Sequence, residues 1–391
     1  MHRDDLTAYT GARVFDGERW HDNAALVVSG DTVHSIGDVP QDAAEVSLGG
    51  GFLVPGFVDL QVNGGGGHLI GAATTAQDIA LVCATHARFG ATSVLPTLIT
   101  DTPSTTDSVL AAGAVAARLH TSGFLGLHLE GPHLSVRRKG AHDPSLIRPM
   151  EESDLVRLER VRPLLPHLLV TIAAETVTPE QIARMVKAGI VVSIGHSDAS
   201  FEVASAAFRA GASMATHLFN AMSQIGNRDP GVVGAALQHG HVHAGLIVDG
   251  HHVHPETIRI SRAAKIGPGR IFLVSDSMSQ AGTDMTSLIL NGREIFRRDG
   301  ALRLADGTLA GADLTLDMAV RVCRSIGTDL DEALRMATSY PADAIFAATT
   351  GRLSSGRKAD YVHLANDLIQ RGVWISGRAA ATSGTPDRRR T

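Results

Sequence analysis

The feature that most constrains the fold is an alternation of apolar runs with helix-like stretches through the middle of the chain. The apolar runs are short and bounded by turn residues, so we interpret them as buried strands. Eight strands that alternate with helices predict an α/β fold of the (β/α)8 TIM-barrel type, with a doubly wound sheet as the alternative. The candidate strands are 53–61, 92–99, 124–130, 168–174, 190–196, 213–218, 243–249 and 271–276.

The position of the polar residues favours the barrel over the doubly wound sheet. Acids, amides and histidines stand at the carboxyl ends of many different strands. A TIM barrel brings all of those ends to one mouth, which is where its active site lies. Residues 286–311 interrupt the alternation of strands and helices. Their Asn-Gly and Asp-Gly turns predict a small β-hairpin insertion. Helices over 312–325 and 330–347 would then close the barrel.

The two ends of the chain have a different character from its middle. Residues 6–52 and 351–377 contain short β-rich runs separated by turns, and neither piece can bury much alone. We expect them to pair into one small β-sandwich domain. The predicted division is 1–52 and 348–378 for this small domain, 53–347 for the barrel and 379–391 for a disordered tail.

Composition limits the classes of binding partner and the cellular compartment that we expect for this protein. Hydrophobic residues make up 44% of the chain, and the net charge is −5. That charge argues against a nucleic acid or a membrane surface as partner. The two cysteines have no motif spacing, and the first residues contain no apolar segment typical of a signal peptide. We therefore expect a cytoplasmic protein without disulfides.

Four predicted strands end in a side chain that can bind a metal ion. Glu130, His196, His217 and Asp276 each close an apolar run. A buried carboxylate is costly unless it is paired or bound to a metal. Two imidazoles, one carboxylate and an open fourth position make a catalytic zinc site. We predict that Glu130, His196 and His217 bind a divalent ion, with Zn²⁺ preferred and Fe²⁺, Mn²⁺ or Co²⁺ also suitable.

Asp276 has a separate predicted role. A carboxylate beside a metal site can take a proton from the attacking water and later return it to a leaving amine. Taken alone, Asp276 fits equally well as the N-cap of a following helix.

Further polar residues fall at the same predicted mouth. Alternation places Gln61 and Asn63 on one face of the first strand, either as a polar floor for the substrate or as strand-end hydrogen-bonding groups. Candidates to hold substrate and polarise a carbonyl follow later strands, and for each the alternative is a solvated loop residue. They are His142, Asn220, Ala221, Arg228, His251 and His252.

Six segments carry a resemblance to a known family. They are PGFVDLQVNGGGG, HLEGPHLSVRRKGAH, IGHSDA, THLFNAM, VDGHHVHP and LVSDSMSQAG. In this order they are similar to the N-acetylglucosamine-6-phosphate deacetylase family of the amidohydrolase superfamily. The match runs from about residue 9 to residue 378, and HLEGP…KGAH together with THLFNAM is specific to that family.

The resemblance implies metal-dependent hydrolysis of the acetamide of N-acetylglucosamine 6-phosphate to glucosamine 6-phosphate and acetate. By position, Glu130, His196 and His217 would bind the metal ion that activates water. Asp276 would be general base and then general acid, and His142 would lie near the acetyl carbonyl. A homodimer is also implied. The residues expected to contact substrate are Gln61, Asn63, His142, Asn220, Ala221, Arg228, His252 and Met278.

The sequence departs from the wider superfamily on the first strand. Many amidohydrolases carry His-x-His there, which supports a second metal ion, whereas this chain has Gln61 and Asn63. We therefore expect one metal ion per chain. Two alternatives remain: a deacetylase of another N-acetyl amino sugar, and a non-catalytic barrel that serves assembly or ligand sensing.

Overall fold

The computed structural model describes residues 6–380. Its centre is an eight-stranded parallel sheet in which each strand pairs with the next one along the chain. We number these barrel strands 1 to 8. They are Phe57–Val62, Ala91–Ile99, Leu127–Glu130, Leu168–Ile172, Val191–Ile194, Met214–Ala215, His243–Leu246 and Ile271–Leu273.

Two hydrogen bonds close the sheet between barrel strands 8 and 1. The amide of Asp276 donates to the carbonyl oxygen of Gln61 at 3.0 Å, and the amide of Asn63 donates to the carbonyl oxygen of Ser277 at 2.8 Å. The closure confirms the predicted (β/α)8 barrel. It also brings Gln61 and Asn63 beside Asp276, more than 200 residues away in sequence.

Helices follow the barrel strands, and their starts can be explained by capping. Thr75, Thr102, Thr178 and Ser200 each accept a hydrogen bond from the backbone N–H three residues later. The α-helices are Ala76–Ala87, Pro103–Arg118, Glu152–Val161, Pro179–Lys187, Phe201–Arg209, Gly231–Gln238, Pro255–Ala264, Leu316–Ser325, Leu330–Ala337 and Ser339–Ala344, with 3₁₀ turns at Val136–Arg138 and Arg162–Leu164. The single helix predicted over 330–347 is wrong, because the chain leaves helical geometry at Thr338.

The chain ends form two small sheets beside the barrel. One has four strands in the order Thr32–Gly37, Ala25–Ser29, Leu6–Thr10, Ala44–Ser47. The other has six, in the order Arg378–Ala379, Gln370–Ile375, Tyr361–Leu364, Phe52–Pro55, Arg13–Phe15, Trp20–His21. The expected pairing of the two chain ends is thus present. The predicted tail lies outside the described residues, except that Ala379 ends a strand and Ala380 follows it.

The strand predicted at 53–61 is two strands that meet at Gly56. The first, Phe52–Pro55, pairs with Tyr361–Leu364 in the six-stranded sheet, and the second is barrel strand 1. A Cβ added at Gly56 would lie 1.9 Å from the hydroxyl oxygen of Thr92. Only glycine allows so close an approach, and the contact lies between residues distant in sequence.

The insertion after barrel strand 8 is a three-stranded antiparallel sheet, one strand more than the predicted hairpin. Its strands are Ser287–Leu290, Arg293–Arg298 and Ala301–Leu304. Both of its turns place an Asn-Gly or Asp-Gly pair at positive φ, as type I′ hairpins require. Ile99 and Ala141, which precede Thr100 and His142, pack against the apolar cluster of this sheet, so the sheet covers one side of the barrel mouth.

A pair of two-residue strands, Gly64–Gly65 and His68–Leu69, lies directly after barrel strand 1. Across residues 6–380, no helix has both the length and the apolar character that crossing a bilayer requires.

Candidate active site

Seven of the predicted residues converge at the carboxyl ends of the barrel strands. Six are buried with at most 5% of their surface exposed, and Asp276 is 8% exposed. Glu130 ends barrel strand 3, and the other residues follow barrel strands or lie within one. They are Gln61, Asn63, Glu130, His142, His196, His217 and Asp276.

Three of these side chains present their ligand atoms to one point. Glu130 Oε1 lies 3.1 Å from His217 Nε2 and 3.2 Å from His196 Nε2, and the two imidazole nitrogens are 3.1 Å apart. Ligands at usual zinc distances in a tetrahedral site lie about 3.3 Å from one another. The triangle therefore has the size of one face of such a site, and the residues fit a divalent metal ion.

His142 competes with His217 for the third ligand position beside Glu130 and His196. Ligand atoms of Glu130, His142 and His196 all lie within 4.8 Å of one another. However, His142 Nε2 is 3.7 Å from the nearest oxygen of Glu130, farther than either His196 or His217. We prefer the tighter set with His217, and we place His142 beside the metal position.

The charges of the protein groups suit a cation. Burial opposes ionisation of Glu130, but the neighbouring imidazoles of His196 and His217 hold its pKa well below the usual value. The carboxylate therefore stays ionised although it is buried. A buried anion with two imidazole nitrogens at its side is the donor set that zinc prefers.

His196 is oriented by its other ring nitrogen. Nδ1 lies 2.7 Å from the carbonyl oxygen of Arg138, so it donates its proton there and turns the lone pair of Nε2 to the site. The Arg138 guanidinium is in turn held by Asp198 at 2.7 Å. The backbone of the loop after barrel strand 3 thus orients a predicted metal ligand.

Three site residues have backbone angles in the left-handed region. The φ angles are 46° for His196, 29° for His217 and 50° for Asp276. Non-glycine residues rarely adopt such angles, which cost about 1–3 kcal/mol each and cluster at functional sites. The surrounding barrel must therefore hold these three strand ends in place, and no sequence pattern reveals this strain.

Asp276 lies against the polar floor of the site. Its Oδ1 accepts hydrogen bonds from the amides of Asn63 at 2.7 Å and Gln61 at 3.1 Å, and Gln61 also donates to Glu130 at 3.0 Å. Burial and the neighbouring charge of Glu130 raise the pKa of Asp276 to about 6. A carboxyl with a raised pKa is a better proton acceptor than an ordinary one, as general-base catalysis requires.

His142 is held by a residue that the sequence interpretation missed. Thr100, directly after barrel strand 2, points its backbone N–H at Nδ1 of His142 at 3.3 Å, and its hydroxyl oxygen is 2.9 Å from the same nitrogen. An amide N–H can only donate, so Nδ1 accepts and Nε2 carries the proton. Burial and the charge of His196 lower the pKa of His142 to about 3, so the ring is a neutral donor.

Replacing Thr100 by valine should lower kcat by about 3- to 10-fold, the effect of losing one ordinary hydrogen bond to the ring. Bound metal should not change, because among the predicted ligand residues the Thr100 hydroxyl contacts only the backbone carbonyl oxygen of Glu130, at 3.2 Å, and no ligand atom. Steady-state kinetics with metal analysis would test this. A Thr100→Ser variant restores the hydroxyl and should recover most of the activity. A valine variant with unchanged kcat would show that the hydroxyl does not position His142.

The remaining predicted substrate residues lie around the mouth. Asn220 and Ala221 follow barrel strand 6 and are half-buried, and Met278 is buried under the insertion sheet. His252 is tied to Asp249 by a hydrogen bond of 2.6 Å. Arg228 is exposed and makes no hydrogen bond or ion pair with residues 6–380, so this chain alone does not bring it into the cluster.

Comparison with known proteins places this geometry in context. The sequence pattern of the Amidohydrolase family matches residues 52–380. An N-acetylgalactosamine-6-phosphate deacetylase of Shewanella sp. (strain ANA-3) is 40% identical over 337 residues, covering 86% of this chain and 85% of the relative. An N-acetylglucosamine-6-phosphate deacetylase of Haemophilus influenzae is 37% identical, covering 87% and 90%.

A solved structure gives the same picture. The crystal structure of N-acetylglucosamine-6-phosphate deacetylase from Pasteurella multocida superposes with a TM-score of 0.92 at 35% identity. The superposition covers 96% of this chain and 100% of the other. The barrel and the small sheets beside it are therefore shared along nearly the whole length.

Proposed function

The chain belongs to the amidohydrolase family, and from that premise we propose that it hydrolyses the acetamide of an N-acetylated amino sugar 6-phosphate. The proposed substrate is N-acetylglucosamine 6-phosphate, and the products are glucosamine 6-phosphate and acetate. The observation that carries this proposal is the triangle of Glu130, His196 and His217 with Asp276 beside it. Such a site combines a metal position with a proton acceptor in one buried cleft.

The proposed roles follow from the atoms that face the site. When bound, a divalent ion supplies Lewis-acid activation of water and of the amide carbonyl. Asp276 accepts the proton of the attacking water, and a C–O bond forms to the acetyl carbon. The Nε2–H of His142 donates to the oxygen on which negative charge develops. Asp276 then gives its proton to the sugar nitrogen as the C–N bond breaks.

Gln61 and Asn63 hold Asp276 for this exchange. Both amides donate to the same carboxylate oxygen, Oδ1. Neither amide donates to the other oxygen, Oδ2. Oδ2 is thus the oxygen left to exchange the proton. The same two residues stand where a second metal ion would need histidines, which supports one metal ion per chain.

A second substrate is favoured by a specific observation. The relative with 40% identity is named for N-acetylgalactosamine 6-phosphate, and the one with 37% identity for N-acetylglucosamine 6-phosphate. The two sugars differ only in the orientation of one hydroxyl group. The catalytic residues described above act on the acetamide and do not discriminate between them.

A direct comparison of substrates tests the proposal. Acetate release should be measured with N-acetylglucosamine 6-phosphate, N-acetylgalactosamine 6-phosphate and N-acetylglucosamine without phosphate. We expect turnover of the first sugar, and kcat/KM for the unphosphorylated sugar at least about 100-fold lower, because charged hydrogen bonds to the phosphate are lost. A higher kcat/KM for the galactosamine derivative would reassign the substrate. No acetate from any of the three would contradict the proposed activity.

Three further features are proposed with it. Zn²⁺ is the proposed ion because two imidazoles and a carboxylate form its common catalytic ligand set. A homodimer is proposed because Arg228 lies exposed outside the cluster although it is expected to contact the substrate, and a second chain could bring it to a site. The cytoplasmic location rests on the sequence alone. Metal analysis, analytical ultracentrifugation and cell fractionation test these three points.

A further inference from the structure

Asp249 forms a buried pair with His252 at the barrel mouth. Both residues follow barrel strand 7, and their side chains are 3% and 5% exposed. Asp249 Oδ2 accepts the Nδ1 proton of His252 at 2.6 Å, and its Oδ1 accepts the backbone N–H groups of His251 and His252 at 2.8 and 2.9 Å. The carboxylate therefore fixes the loop and the ring at once.

The pair leaves the other ring nitrogen free for a ligand. Nε2 of His252 makes no hydrogen bond with any residue between 6 and 380. Because Nδ1 is committed to Asp249, the ring cannot turn or exchange its tautomer without breaking a charge-assisted bond. The ring follows barrel strand 7, so it lies at the same barrel mouth as Asp276 and the predicted metal ligands.

The charge of Asp249 is secure in this position. Burial opposes its ionisation, but the hydrogen bonds from His252 and from the two backbone amides hold its pKa at about 2. The carboxylate accepts the Nδ1–H of His252 and so holds the ring in one orientation. With Nδ1 donating to Asp249, an imidazole that carries a second proton can donate it from Nε2 to an anionic group of the substrate.

We propose that Asp249 is a positioning residue that holds His252 with its Nε2 directed at the anionic group of the substrate. This inference rests on the proposed function, because it takes the anionic group to be the sugar phosphate. Asp249 touches no substrate itself. It acts by fixing the ring orientation and the tautomer of His252.

The first test separates substrate binding from turnover. Asp249→Ala should raise KM for the phosphorylated sugar about tenfold or more, with kcat changed less than about threefold and metal content unchanged. Asp249→Asn, which can still accept a hydrogen bond but lacks the charge, should fall between the alanine variant and the wild type. Asp22→Ala, which removes an exposed ion-paired carboxylate of the small sheets, is the matched control and should leave both constants unchanged.

The second test asks whether Asp249 acts through His252. In a His252→Asn background, adding Asp249→Ala should raise KM by less than about twofold, because the ring that it positions is already gone. An additional tenfold rise in that background would show that Asp249 only shapes the loop, and it would overturn the inference. An unchanged KM in the single Asp249→Ala variant would overturn it too.

A spectroscopic readout keeps the inference testable without turnover. In protein labelled with ¹⁵N-histidine, the Nδ1–H signal of His252 should be strongly hydrogen-bonded in the wild type and lost in Asp249→Ala. Glucosamine 6-phosphate should bind the metal-loaded alanine variant about tenfold more weakly in calorimetry. A wild type that hydrolyses no sugar phosphate but keeps this signal would contradict the proposed function alone. A signal unaffected by Asp249→Ala would contradict the inference itself.

Discussion

Asp276→Asn should retain its metal ion and lose turnover by about 10² to 10⁴, the usual contribution of a general acid–base group. The amide has the shape of the carboxylate, so its oxygen can still accept the hydrogen bonds from Gln61 and Asn63. It cannot accept a proton from water or return one to the amine. The measurement is kcat from acetate release, together with metal content by elemental analysis.

The matched control for this change is Asp306→Asn. Asp306 is exposed on the insertion sheet and faces no predicted ligand, so activity should stay at the wild-type level. Titration calorimetry adds a second check, because the Asp276 variant should still bind N-acetylglucosamine 6-phosphate. An asparagine variant with wild-type kcat would show that Asp276 is not the proton-transferring group.

The second large effect is expected at Glu130. Glu130→Gln replaces the only carboxylate of the metal triangle by a weak amide ligand. Metal content should fall from about one ion per chain towards zero under dialysis, and turnover should fall by at least about 10³. The loss should be partly reversed by excess zinc, since His196 and His217 still offer two ligands.

Glu294→Gln is the control for the Glu130 change, because Glu294 is an exposed residue of the insertion sheet. The folded state of both variants should be compared by circular dichroism, since Glu130 is buried and its hydrogen bonds join several strand ends. A folded Glu130→Gln variant that keeps one tightly bound ion would contradict the ligand assignment. In that case His142 would become the third ligand with His196 and His217.

The barrel and most of the polar cluster could be predicted from the sequence because both follow from local patterns. An apolar run that ends in Glu130 or His217 gives the strand and its polar end together. Barrel topology then brings such ends to one mouth whatever their separation in sequence. For this reason the sequence alone predicts that residues as distant as Gln61 and Asp276 lie at one mouth.

The features that the sequence did not reveal depend on contacts between distant segments. Thr100 contacts His142 from another part of the barrel, and Gly56, where the predicted strand breaks, lies close against Thr92. Asp249 is different, because it lies only three residues from its partner. The VDGHHVHP segment contains both Asp249 and His252. However, an aspartate that orients a histidine has the same local sequence pattern as an ordinary loop aspartate.

The sequence also does not predict the left-handed backbone conformation of His196, His217 and Asp276. Histidine and aspartate adopt positive φ more often than most residues, but an apolar run that ends in one of them still predicts ordinary strand geometry. The contacts of the closed barrel hold these strand ends in the left-handed conformation. Prediction from sequence thus reached the residues of the site, and the structure added how they are held.

The central claim is that one metal ion, held by Glu130, His196 and His217, supports deacetylation of an amino sugar phosphate. The most direct test strips the enzyme of metal and titrates zinc while acetate release from N-acetylglucosamine 6-phosphate is followed. The account predicts that turnover is absent without metal, returns with zinc and saturates near one ion per chain. Saturation near two ions would contradict the single-metal site, and no turnover at any loading would contradict the reaction on this sugar.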